Sequence, residues 1–93
     1  MNLKSLGLAY RARKVVVGTD LVVLNMQQKN LYLILLAADA SDNTKKKIYD
    51  KAKTYQVQVL EVTSTVILSQ AIGKIGIKVV GITDKGFSKL LSK

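Results

Sequence analysis

The sequence contains no cysteine, no histidine, no tryptophan and no proline among its 93 residues. Without cysteine it cannot form a disulfide, and without cysteine and histidine it lacks the ligands of the usual zinc sites. The same absences exclude a cysteine nucleophile and a Ser-His-Asp relay. We therefore expect a domain that folds on its hydrophobic core alone and holds no cofactor and no metal.

Long hydrophobic runs are absent as well. The longest uninterrupted run covers residues 31–38, whereas a membrane-spanning helix needs about 20 apolar residues. Near the start of the chain, Arg11, Arg13 and Lys14 cut the apolar stretch short, which argues against a signal peptide. The lack of cysteine fits a reducing compartment. These features predict a soluble, cytoplasmic protein that has no membrane partner.

Acidic residues are scarce, and the resulting charge is the first indication of function. The chain has 6 Asp and Glu against 15 Lys and Arg, which gives a formal net charge of +9. Hydrophobic residues make up 48% of the chain and predict a packed core, so the interleaved cations should lie on its surface. Such a surface favours nucleic acid, because neutralised phosphates release counterions. The alternative is a surface whose charges serve only solubility.

Hydrophobic periodicity alternates between helix and strand along the chain. Short apolar or β-branched runs predict strands over residues 14–17, 32–37, 57–62 and 78–83. Helical spacing predicts one helix before the first strand and one after each strand, the second reaching about Gln28 and the fourth ending at Gly73. The predicted N-caps, in chain order, are Asn2, Thr19 or Asp20, Ser41, Ser64 and Asp84.

This alternation predicts an α/β fold, since strands separated by helices are typical of a sheet covered on both faces. We expect a three-layer α/β/α sandwich with a largely parallel or mixed central sheet of about four strands, formed by a single domain over residues 1–93. In such folds ligands bind at loops and helix N-termini along one rim. The Gly18-Thr19-Asp20 junction is one such place, although an ordinary tight cap explains it equally well.

Three other patterns have a functional and a structural interpretation. Residues 73–76 match the GXXG loop of KH domains, but a strand pattern follows them, which favours a helix end and a turn. The lysines at 45–47, 51 and 53 could follow a phosphate backbone or form a solvated helix face. Three of the six acids, at positions 20, 42 and 84, stand at helix starts, where capping explains them. No pair suggests general acid and base, so we do not expect an enzyme.

Four segments, in order and together spanning nearly the whole chain, resemble one bacterial group. They are residues 6–14 with Gly18, the run Asp-Ala-Ser-Asp-Asn-Thr-Lys-Lys-Lys at 39–47, Ala-Ile-Gly-Lys at 71–74 and Thr-Asp-Lys-Gly-Phe at 83–87. The chain thereby resembles the YlxQ-like proteins, a branch of the kink-turn-binding ribosomal protein family whose archaeal prototype is ribosomal protein L-seven-Ae. That family shares an α/β/α sandwich and binds sharply bent RNA duplexes.

The resemblance implies which residues contact RNA. The junction at Gly18 would enter the bent RNA with its helix N-terminus facing phosphates, and the loop at 62–64 would meet the bulged nucleotides. Cations nearby would contact phosphate or add to the field. The RNA-binding set implied in this way is Arg13, Lys14, Gly18, Thr19, Asp20, Leu21, Leu24, Gln28, Lys29, Val62, Thr63, Ser64 and Lys74.

The sequence departs from the family's pattern inside the second helix. Strong kink-turn binders carry Asn and Glu directly after the Gly-Thr pair and a Lys three residues later, where this chain has Asp20, Leu21 and Leu24. If the two leucines are exposed, this face carries an apolar patch that fits a protein or ribosome contact. If they are buried, the helix is simply more hydrophobic. The alternative function is therefore a protein-interaction or ribosome-associated module that kept the fold and lost kink-turn binding.

Overall fold

The computed structural model describes residues 3–62 and 64–92. The predicted N-cap Asn2 and the predicted RNA contact Thr63 lie outside these ranges. Helices and strands alternate as expected, in the order α1 (Leu3–Arg11), β1 (Val15–Val17), α2 (Thr19–Gln27), β2 (Leu33–Ala37), α3 (Asp42–Tyr55), β3 (Val59–Val62), α4 (Thr65–Ala71), β4 (Val79–Ile82) and α5 (Lys85–Leu91).

The four strands form one mixed sheet, which confirms the predicted α/β class. Their order across the sheet is β1-β4-β2-β3. Strand β2 runs parallel to β3, and β4 is antiparallel to both of its neighbours, β1 and β2. Consequently β1, β2 and β3 all end at the same edge of the sheet, where β4 begins. We call this edge the carboxyl rim.

Two separate cores confirm the three-layer architecture. Along β2, Leu33, Leu35 and Ala37 face the core under α1, α4 and α5. The alternate residues Ile34 and Leu36 face the second core, under α2 and α3. All five residues are fully buried, because a strand in the middle of the sheet is covered on both faces.

Side-chain caps begin three of the helices where the sequence predicts them. Ser41 Oγ accepts a hydrogen bond from the N–H of Thr44 at 3.2 Å, which starts α3. Ser64 Oγ accepts from the N–H of Ile67 at 3.2 Å and starts α4. The third cap is Asp84, whose carboxylate accepts from the backbone at the start of α5. Each cap acts over three residues, so local sequence is sufficient to place it.

The predicted cap of α2 by Thr19 or Asp20 is wrong. Gly18 is the N-cap, with φ 97 and ψ 153, and Thr19 is already helical. The reason is that Gly18 N–H still donates to the carbonyl of Val79 in β4, at 3.0 Å. The chain must leave the sheet and enter the helix within one residue, in a conformation that is essentially confined to glycine.

The segment that resembles a KH loop is a helix end followed by a turn, as the strand pattern after it predicts. Helix α4 ends at Ala71, and Gly73 and Gly76 adopt positive φ values of 70 and 72. The chain then enters β4, so the glycines do not join two helices. Among the helices in the described ranges, none combines the length and apolar character needed to cross a membrane.

Candidate nucleic-acid interface

Three helix N-termini meet at the carboxyl rim, because α2, α3 and α4 follow the three strands that end there. Backbone hydrogen bonds across the strand ends hold this surface together. Ala37 N–H donates to the carbonyl of Lys78 at 2.8 Å, and Ala38 N–H donates to that of Val62 at 3.2 Å. Together with the bond from Gly18 to Val79, they connect all four strands at this rim.

The N-terminus of α2 differs from the other two helix starts at this rim. No side chain within the described ranges caps it, whereas Ser41 and Ser64 cap α3 and α4. The N–H groups of a first helical turn have no partner within the helix. Together with the helix dipole they can therefore bind an external anion such as a phosphate. Asp20 lies exposed in the same turn, where its carboxylate repels phosphate but can accept hydrogen bonds from base amino groups.

The outer face of α2 carries two exposed leucines, which answers the question whether Leu21 and Leu24 are exposed or buried. Leu21 is 50% exposed and Leu24 is 45% exposed, while Val22 and Met26 on the opposite side are fully buried. Leu21, Leu24 and the exposed Gln28 follow each other at i, i+3 and i+7, so they form one stripe. The apolar patch next to the α2 N-terminus is therefore open to solvent.

The start of α4 is held by a contact between distant parts of the chain. Asp39, just after β2, accepts hydrogen bonds from Thr65 N–H at 2.8 Å and from Thr65 Oγ1 at 2.6 Å. These bonds, assisted by the positive charge of Lys78, keep the pKa of Asp39 below its ordinary value of 3.8. Of the predicted contacts in this loop, Ser64 is half-buried and caps α4, whereas the side chain of Val62 is buried in the core.

Lys78 is a rim residue that sequence reasoning missed. It is exposed, immediately precedes β4, and its carbonyl is bonded to Ala37 at the end of β2. Since β4 lies between β1 and β2, Lys78 stands between Gly18 and the start of α4. These two segments lie three strand spacings apart, about 14 Å. Nothing in the local sequence distinguishes Lys78 from the other lysines. Its position at the rim follows only from the order of the strands in the sheet.

The structure does not bring the predicted cations to this rim. The carbonyl of Lys14 accepts from Thr83 N–H at 2.9 Å, beyond the far end of β4. Lys14 and Arg13 therefore lie at the opposite end of β1, about 13 Å along the strand from Gly18. Lys29 follows the C-terminal end of α2. Lys74 follows α4, and its ammonium lies 5.7 Å from the ring centre of Tyr10, a cation–π contact.

One lysine of the lysine-rich helix α3 forms an ion pair within the protein. Lys45 Nζ lies 3.0 Å from one carboxylate oxygen of Glu61, and the Tyr49 hydroxyl donates to the other at 2.6 Å. The bonds from Tyr49 and Lys45 lower the pKa of Glu61, and the hydrogen bond to Glu61 raises the pKa of Tyr49 to about 12. Lys45 thus fastens α3 to β3, while Lys46, Lys47 and Lys53 are exposed. The exposed lysines fit both the solvated-face and the phosphate-track interpretations of this cluster.

The fold and this rim define a small basic α/β/α protein of the ribosomal-protein type. The chain belongs to the ribosomal protein L7Ae/L30e/S12e/Gadd45 family, which residues 2–92 match. This is not an enzyme family, in agreement with the expectation from the acidic residues. Two curated relatives confirm the resemblance to the YlxQ-like branch as well.

Two relatives and two solved structures are similar over nearly the whole chain. RNA-binding protein YlxQ of Bacillus subtilis (strain 168) is 49% identical over 88 residues, which cover 94% of this chain and 88% of that protein. RNA-binding protein YlxQ of Enterococcus faecium is 43% identical over 89 residues, covering 96% and 84%. A structure of a protein of unknown function from Bacillus halodurans C has a TM-score of 0.93 at 42% identity, covering 97% and 91%. The Giardia lamblia 15.5kD RNA binding protein has a TM-score of 0.80 at 15% identity, covering 97% and 78%, and shares the fold.

Proposed function

We propose that the chain, as one domain over residues 1–93, is a cytoplasmic RNA-binding protein that recognises structured RNA of the kink-turn type. Two relatives that are 49% and 43% identical carry the name RNA-binding protein, and the net charge of +9 suits a phosphate-rich partner. The observation that carries the proposal is the uncapped α2 N-terminus at Gly18. It offers backbone N–H donors to a phosphate at the point where a bent RNA would enter.

In this proposal the carboxyl rim contacts RNA through few side chains. Gly18, whose own N–H is bonded to Val79, lets the RNA backbone approach closely. Thr19 and Asp20 offer backbone N–H groups to phosphates, and the Asp20 carboxylate accepts hydrogen bonds from base amino groups of the G·A stem. Ser64, at the start of α4, meets the bulged nucleotides, and Lys78 supplies a cation between the two segments. Arg13, Lys14, Lys29 and Lys74, away from this rim, attract RNA through the long-range field or through RNA that continues past the kink. Recognition then depends mainly on RNA shape and backbone.

A second function is favoured by the exposed leucines on α2. Leu21 and Leu24 occupy the positions where the family's strong binders carry a polar reader and a cation, and both lie half-exposed beside Gly18. An exposed apolar patch beside a polar junction is typical of a protein contact. The alternative is therefore a ribosome-associated or protein-interaction module in which this patch binds a protein and specific kink-turn recognition is lost.

Binding to two RNAs over a series of salt concentrations separates these functions. The probes are a kink-turn duplex and an unbent duplex of equal length and charge, with affinity measured by fluorescence anisotropy. We expect tighter binding of the kink-turn, with a preference that persists as salt weakens both complexes. Equal affinity for both duplexes, combined with a steep dependence on salt, would leave only non-specific attraction and would favour the alternative.

A further inference from the structure

A second surface lies on the other face of the sheet, between α1 and α4. The two helices pack closely there, since a Cβ atom built on Gly7 would lie 3.0 Å from the carbonyl oxygen of Ala71. An open groove of 540 Å³ runs over this contact, with Leu3 and Leu8 on one wall, Ile67 on the other and Arg11 towards the end of α1. We call it the α1–α4 groove. It faces away from α2 and α3 and therefore from the apolar patch formed by Leu21 and Leu24 on α2.

The groove exposes large aliphatic side chains that are not part of the hydrophobic core. Leu8 is 53% exposed and Ile67 is 42% exposed, while Leu6 and Leu68 on the same two helices are fully buried. Because Leu6 and Leu68 already anchor the helices to the sheet, Leu8 and Ile67 are available to a partner. Their position in a concave surface between two helices suits a single apolar ridge, such as the apolar face of another helix.

Among the described residues that line the groove, the charged side chains are cations. The sequence contains no Asp or Glu in residues 1–19 or 62–83, and α1 and α4 lie within these stretches. Arg11 and Lys4 line the groove, and Lys74 lies next to Tyr10 just beyond it. An occupant must therefore be apolar where it meets Leu8 and Ile67, and it gains most if it is anionic at its flanks.

We propose that the α1–α4 groove docks an acidic amphipathic helix of a partner protein. Helix α1 has nine residues and is about 13.5 Å long, so the groove accommodates two to three turns of such a helix. The lining side chains include no aromatic ring on which an RNA base could stack. The aliphatic side chains lie within a concavity instead of projecting as they would towards a lipid surface. The small contact area predicts a weak, reversible complex.

The test uses the full chain labelled with ¹⁵N and a synthetic peptide probe of about 14 residues, the length at which isolated helices begin to form. The peptide carries leucines at i, i+3, i+4 and i+7 and glutamates elsewhere, and a scrambled peptide of the same composition is the control. We expect saturable amide shifts that concentrate in α1 and α4 with the amphipathic peptide. Leu8→Ser should weaken binding about tenfold, as expected for one lost leucine contact.

Matched variants show whether the effect belongs to the groove. Leu90→Ser removes a leucine of similar exposure (47%) from α5 and should leave binding unchanged. Arg11→Ala should weaken binding more than Lys53→Ala, which removes an exposed cation from α3 on the opposite face. Ile67→Ser provides a second groove variant if Leu8→Ser lowers stability.

Several outcomes would overturn the proposal, and all are independent of the RNA site. Absence of saturable shifts, or equal shifts with the scrambled peptide, would show that the groove does not select an amphipathic helix. Equal losses for Leu8→Ser and Leu90→Ser would do the same. If a plain RNA duplex or vesicles of anionic phospholipid shift α1 and α4 while the peptide does not, the groove has a different occupant.

Discussion

Replacing Leu24 with lysine should strengthen binding to a kink-turn RNA if the carboxyl rim docks as proposed. Leu24 lies on the exposed stripe of α2, two turns from the uncapped N-terminus at Gly18. A lysine there restores the cation that strong binders of this family carry. The substitution therefore tests the docking pose directly, through a gain of function.

The structure predicts that the protein tolerates this change. Leucine and lysine have similar helix propensities. Because Leu24 is already 45% exposed, the substitution forfeits roughly half of the ~1.5–3 kcal/mol that complete burial contributes, or about 1 kcal/mol. The methylene groups of lysine cover part of the same surface and reduce this loss. For a domain of this size, we expect Tm to fall by at most about 4–8 °C.

The gain in affinity has a characteristic dependence on salt. One additional phosphate contact steepens the slope of log K against log salt concentration by about 0.9. Between about 200 mM and about 50 mM salt, the advantage of Leu24→Lys over the parent should therefore grow about 3.5-fold. The assay is fluorescence anisotropy with the kink-turn and unbent duplexes at several salt concentrations, with circular dichroism to confirm the fold.

Leu90→Lys is the matched control, because it adds the same charge at a leucine of similar exposure on α5. It should raise affinity for both duplexes slightly and equally, through the long-range field. Leu24→Lys should raise affinity for the kink-turn more than for the unbent duplex. If the two variants behave alike, or if Leu24→Lys gains nothing while remaining folded, the proposed pose of α2 on the RNA is refuted.

Three further predictions concern stability and ionisation. Gly18→Ala should lower the free energy of unfolding by about 1–3 kcal/mol through backbone strain alone, since an added Cβ meets no atom within 4 Å; an unchanged urea midpoint would contradict this. The bonds from Thr65 lower the pKa of Asp39 below 3.8, so its contribution to stability is present above that pH and lost as pH falls further. Asp39→Asn should therefore make the acid dependence of Tm shallower, and an identical dependence would exclude this role. Hydrogen bonding to Glu61 raises the pKa of Tyr49 from 10.0 to about 12, so its stabilising effect is lost as pH rises through that value. Tyr49→Phe should remove the ionisation near pH 12 from an ultraviolet titration, and its persistence would assign that step to another group.

The secondary structure was predictable because the signals that start and end its elements are local. Ser41, Ser64 and Asp84 cap their helices over three residues, and the uninterrupted apolar run of β2 indicates a strand buried on both faces. The cap of α2 was not predictable in this way. Gly18 takes that position because its N–H is held by Val79, a residue 61 positions later in the chain.

The candidate site was only partly predictable, for the same reason. The junction at Gly18 and the loop before α4 do share one rim, because both follow strands that run in the same direction. Arg13 and Lys14 are close to Gly18 in sequence, but a strand separates them from it in space. Lys78 is distant in sequence and lies at the rim, because β4 enters the middle of the sheet from that side.

By itself the sequence determined the alternation of helices and strands, most of the helix starts, the excess of positive charge and the family resemblance. All of these depend on residue type and on spacing over a few positions. Only the tertiary structure decided which residues share a surface. Strand order brings Lys78 to the carboxyl rim, the Asp39–Thr65 contact joins segments 26 residues apart, and packing leaves Leu21 and Leu24 exposed. Such relations arise between distant segments, so no local pattern encodes them.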